Sequence, residues 1–101
     1  MKTTSADTKY AEALAHDIAD ALNTAPHASG RVTTHYDDIA DTWAVRITIR
    51  RQRYDLTMPS SGAIYGLFRN NQWLGGINLR TDAAPADVAA AMLTRISQTI
   101  R

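Results

Sequence analysis

Three carboxylates fall within five residues at Asp37, Asp38 and Asp41. Clustered side-chain oxygens are what a hard cation such as magnesium or calcium requires. A second group, Glu12, His16 and Asp20, is spaced by four residues, so on a helix these side chains share one face and could converge on a metal or a proton-transfer partner. Ser60 and Ser61 are the hydroxyls best placed to serve as nucleophiles, and His27 and His35 are the remaining bases.

Each of these also has an ordinary structural reading, and the spacing favours it. Asp-Asp-x-x-Asp is the string with which isoprenoid synthases hold magnesium and diphosphate, but there the aspartates project from a long helix into a large cavity. Here they lie between two strand candidates, and one short loop supplies too few ligands for a tight site. Alternating charge on a solvent-facing helix reproduces the Glu12, His16, Asp20 pattern, and no second motif supplies further ligands. Ser60 and Ser61 stand in Pro59-Ser60-Ser61-Gly62, a turn without the strand-nucleophile-helix context of a serine hydrolase. Gly75-Gly76 lacks the Lys and Ser or Thr of a phosphate loop. No catalytic, cofactor-binding or metal-ligating residue is therefore assigned, and a small metal-dependent enzyme is the least favoured reading.

The elements that would position these residues follow from periodicity. Tyr10, Leu14, Ile18, Ala21, Leu22 and Ala25 recur at helical spacing and predict a helix over residues 5 to 24, with Thr4 and Asp7 at its start and Pro26 ending it. Beyond Gly30 the period becomes two. Trp43, Val45, Ile47 and Ile49 alternate with smaller or polar residues, and Tyr54, Leu56 and Met58 repeat the pattern. A turn at Arg51-Gln52 sets Ile49 opposite Tyr54, Ile47 opposite Leu56 and Val45 opposite Met58. Residues 31 to 36 are a weaker strand candidate.

A second hairpin is expected across Asn70-Asn71, between residues 63 to 69 and 72 to 80. Its register places Phe68 opposite Trp73 and Ile64 opposite Ile77 on the core side. Tyr65, Leu67 and Leu74 then face outward. Val88, Ala89, Met92, Leu93, Ile96 and Ile100 predict a final helix from Pro85, with Asp82 as its cap. The fold class is α+β in two layers: an N-terminal helix, an antiparallel sheet of four to five strands in two hairpins, and a C-terminal helix, with both helices on one sheet face. Residues 1 to 101 are read as one domain, with residues 1 to 4 disordered.

Composition narrows the function classes. The 101 residues contain no cysteine, which excludes disulfides, thiolate metal sites and thiol nucleophiles. No run approaches the roughly 20 apolar residues of a membrane-spanning helix, and the polar first ten residues do not resemble a signal peptide, so a cytoplasmic protein without membrane contact is expected. The formal charge of +1 conceals asymmetry: residues 1 to 41 carry three basic and seven acidic side chains, whereas residues 42 to 80 carry six arginines against Asp55 alone.

The outer sheet face is thus the candidate functional surface, with Arg46, Arg50 and Arg53 beside Tyr65, Leu67 and Leu74. Apolar side chains grouped on a wet face point to protein contact, with self or with another protein, as expected of a small adaptor, inhibitor or homodimer. The alternative is a nucleic-acid-binding domain in which the same arginines meet phosphates and Tyr65 stacks on a base.

Overall fold

The computed structural model describes residues 5–24, 31–38, 41–59, 64–79 and 83–100. Helix α1 spans Ser5–Thr24 and helix α2 spans Pro85–Ile100; between them run β1 (Arg31–Asp37), β2 (Thr42–Ile49), β3 (Gln52–Thr57), β4 (Ile64–Arg69) and β5 (Gln72–Asn78). The strands form one antiparallel sheet in chain order. This is the two-layer α+β arrangement expected, with residues 31 to 36 joining the sheet as its first edge strand. The expectations for residues 1 to 4, Pro26, Ser60, Ser61 and Asp82 lie outside the described residues. Among the described residues, no helix is long and apolar enough to cross a membrane.

Both helices bury their apolar stripes on one face of the sheet. Ala11, Ala15, Ile18, Ala19 and Leu22 of α1 and Val88, Ala89, Met92 and Ile96 of α2 enclose Val45, Ile47, Tyr54 and Leu56. The stripe of α1 is rotated from the one periodicity suggests, so that Tyr10 is exposed and the small side chains Ala11, Ala15 and Ala19 are buried. Small residues let α1 approach α2 and β2 closely, which large ones would prevent. Helix α2 starts where its proline suits a first turn, and the Ala84 carbonyl accepts the Asp87 and Val88 N–H groups at 2.9 and 3.1 Å.

The β2–β3 register differs from expectation by two residues. Ile47 faces Tyr54, Val45 faces Leu56 and Ile49 faces Gln52, so the turn is Arg50-Arg51. A slip of two preserves the buried face, which is why alternation could not detect it. Charge decides between the registers. The expected pairing would set Arg50 directly opposite Arg53, whereas the observed one sets Arg46 opposite Asp55. Both turn arginines accept a left-handed backbone in return, with φ of 51° and 68°. The second turn is Asn70-Asn71 as expected, at φ of 50° and 71°.

A bulge in β5 changes the second hairpin. Phe68 pairs with Trp73, but Leu67 pairs with Gly75, Gly66 with Gly76 and Tyr65 with Ile77, so Leu74 is the inserted residue. Gly75 takes φ of 130°, and a Cβ there would stand 2.7 Å from Nη2 of Arg95, which crosses from α2. Its guanidinium Nη1 donates to the Gly76 carbonyl at 3.3 Å, tying helix to edge strand.

Candidate sheet-face interaction site

The face of the sheet turned away from the helices carries Thr33 and His35 of β1, Arg46 and Thr48 of β2, Arg53, Asp55 and Thr57 of β3, Ile64, Gly66 and Phe68 of β4, and Trp73, Gly76 and Asn78 of β5. Among the described residues, no helix covers it. Trp73 is 57% exposed and Ile64 59%, the two largest apolar exposures on the sheet.

Expectation and structure disagree on which apolar side chains lie here. Tyr65 and Leu67 are buried in the core, and Leu74 is partly buried against it. The physical cause is the β3–β4 pairing: Leu56 meets Leu67 and Thr57 meets Gly66, so β4 must share the phase of β3. Read in isolation, β4 is apolar on both sides and its alternation carries no phase. The bulge then allows Trp73 to point outward while Ile77 points inward. The partner-binding assignment of Tyr65, Leu67 and Leu74 is corrected accordingly: their place on the open face is taken by Ile64, Phe68 and Trp73.

Phe68 and Trp73 meet edge-on, with centroids 5.2 Å apart at 66°. Gly66 makes room for them, since a Cβ there would lie 3.0 Å from Trp73 Cζ3 and 2.6 Å from Thr57 Oγ1. The Thr57 hydroxyl donates to the Gly66 carbonyl at 3.3 Å, which fixes the side of this shallow seat.

Of the expected arginines, Arg46 and Arg53 share this face and Arg50 does not. Arg46 Nε donates to Asp55 Oδ1 at 2.8 Å and its Nη2 to Oδ2 at 3.4 Å. Arg53 Nε stands 3.8 Å from Asp55 Oδ2, within ion-pair range. Asp55 is thus a nearly buried carboxylate held between two half-exposed guanidiniums, leaving a net charge of +1 in the triad. Arg50 belongs to the β2–β3 turn, at the end of the sheet.

The other chemistry-bearing groups do not assemble into a centre. His16 Nε2 and Glu12 Oε2 approach to 3.7 Å, and His16 Nδ1 lies 3.4 Å from Thr34 Oγ1 with the imidazole tilted against Trp43. Tyr36 donates to Asp41 across the β1–β2 connection, and this hydrogen bond is the first cause of a tyrosine pKa raised above its ordinary value. Among the described residues, no group of three or more His, Asp or Glu side chains could hold a metal. No family model, curated protein or solved structure matches the chain.

Proposed function

We propose that this protein is a non-enzymatic interaction module that docks a partner protein on the open face of its sheet, as an adaptor or inhibitor would. The observation that carries this reading is the exposure of Trp73 and Ile64, with Phe68 beside them, on strands whose other face is already committed to the core. Large apolar side chains grouped on a wet face lose free energy by remaining hydrated and gain it by being covered. Arg46 and Arg53 border the patch, so the fitting partner presents apolar side chains flanked by carboxylates. Two copies placed face to face would oppose these arginine rows and suit the surface less well.

The size of the face sets the strength. Five strands at about 4.8 Å spacing and six residues at about 3.3 Å give roughly 20 by 20 Å. That is below the ~800 Å² each side contributes to a standard stable interface, so affinity of micromolar order is expected. The T-shaped Phe68–Trp73 pair beside arginines also supports a second reading, stacking of single-stranded nucleic acid. Asp55 weighs against it, because it neutralises one of the two guanidinium charges a phosphate backbone would need.

Selection from a random peptide library tests the proposal. Enriched peptides should combine aromatic or aliphatic residues with Asp or Glu, and Trp73→Ser should weaken them by about tenfold or more while the folded spectrum persists. Peptides indifferent to Trp73→Ser would remove the sheet face as the docking surface. Molar mass rising with concentration would make a second copy the occupant, and steeply salt-dependent binding of oligo(dT) would favour nucleic acid.

A further inference from the structure

A cavity of about 530 Å³ lies on the helix side of the sheet, at the end where both hairpin turns sit, lined by Ile49, Arg50, Gln52, Tyr54, Arg69 and Thr99 among others. Its volume falls within the range of small-molecule sites, and its chemistry is unlike that of the open face. Two arginines line it, and among the described residues neither Arg50 nor Arg69 forms an ion pair. Two cations without counter-charge favour an anion.

Among the described residues, the neighbouring end of α2 does not meet that demand. A helix C-terminus carries about half a negative charge, less than the charge of the two arginines. The Thr99 hydroxyl, the helix's side-chain contribution to the cavity among the described residues, already donates to the Ile96 carbonyl at 2.8 Å. The opposite wall is hydrogen-bonded across the two turns. Asn70 Nδ2 donates to Gln52 Oε1 at 2.6 Å, the Arg53 N–H donates to Asn70 Oδ1 at 3.0 Å, and the Asn70 N–H donates to the Arg53 carbonyl at 2.7 Å. These bonds lock one hairpin turn to the other, and with them the backbone that presents Arg50 and Arg69. A pre-formed wall lowers the entropic cost of capturing a ligand.

We infer that this cavity binds a small organic anion, a carboxylate or phosphate carried on an apolar body, with the anionic head between Arg50 and Arg69 and the body against Ile49. Guanidinium suits this role because its planar fork reaches two oxygens at once. The volume exceeds what an inorganic anion alone fills, which is why a body is part of the inference. It is independent of the sheet-face reading, because none of these residues belongs to the open-face patch.

Titration of ¹⁵N-labelled protein with phenyl phosphate tests it, with inorganic phosphate and phenol as head-only and body-only probes. Phenyl phosphate should bind saturably with a dissociation constant of millimolar order, move the amides of Arg50, Tyr54, Asn70 and Thr99, and outbind both fragments. Arg50→Gln and Arg69→Gln should each weaken it about tenfold, with the rest of the spectrum unchanged. Arg31→Gln makes the same charge change on β1 and should leave binding intact. Absence of saturable shifts, shifts mapping elsewhere, or equal loss in Arg31→Gln would overturn the inference.

Discussion

Arg46 and Asp55 stand directly opposite one another on β2 and β3, joined by a 2.8 Å hydrogen bond to a carboxylate that is only 7% exposed. This pair fixes the first hairpin where apolar alternation alone permits a slip of two. It also keeps the open face from becoming a plain cationic strip. Asp55→Asn retains the shape and removes the charge. Charge-assisted hydrogen bonds contribute about 1.5–3 kcal/mol, and the partial exposure of both guanidiniums lowers that, so a loss of about 1–2 kcal/mol is expected. Urea denaturation of the two proteins measures it, and equal midpoints would show that the triad is not structural.

Opposite faces of the β4–β5 hairpin should respond differently to truncation. Leu67 is fully buried against Leu56, so Leu67→Ala should cost about 2–5 kcal/mol. Trp73, although far larger, faces water, and Trp73→Ser should cost about 1 kcal/mol or less, the loss of its contact with Phe68 and Gly66. The register expected of the hairpin from alternation alone gives the reverse order. Thermal melts of the two variants distinguish the two phases without any knowledge of a partner.

That reversal shows where the sequence stops being legible. The helices over residues 5 to 24 and from Pro85 were readable because each has one apolar stripe with a proline bound, and Asn70-Asn71 because asparagine tolerates positive φ. Ile64-Tyr65-Gly66-Leu67-Phe68 has no polar side to mark its phase; only contact with Leu56 on a strand eight or more residues earlier supplies it. The bulge at Leu74 depends on the space Gly75 leaves for Arg95, a residue twenty positions downstream. The cavity beneath the two turns was invisible for a related reason. Arg50, Tyr54, Arg69 and Thr99 share no motif, and only the sheet's meander and the length of α2 bring them to one end.

The β2–β3 turn should be improvable. Arg51 sits at φ of 68°, a conformation costing a side-chain-bearing residue about 1–2 kcal/mol, of which glycine's extra chain entropy returns about half. Arg51→Gly should therefore stabilise the protein by about 0.5–1 kcal/mol, raising the melting temperature by about 3–6 °C. Arg51 does not line the cavity, so phenyl phosphate titration should be unaffected. A lower melting temperature would mean that the Arg51 side chain makes contacts worth more than the backbone strain.

Alkaline pH should weaken the fold through Tyr65. Burial is the first cause raising its pKa above the ordinary 10.0, with Tyr10 nearby as the second. A tyrosine ionises by losing a proton, so with the folded value above the unfolded one the native state holds its proton longer. Stability from this source is complete below about pH 10 and falls as pH climbs through the folded value. Tyr65→Phe removes the titration while keeping the buried ring. Between pH 9 and 11.5 its urea midpoint should decline less steeply than that of the native protein, the lysines and other tyrosines cancelling in the comparison. Parallel declines would place Tyr65 in contact with water and overturn its assignment to the core.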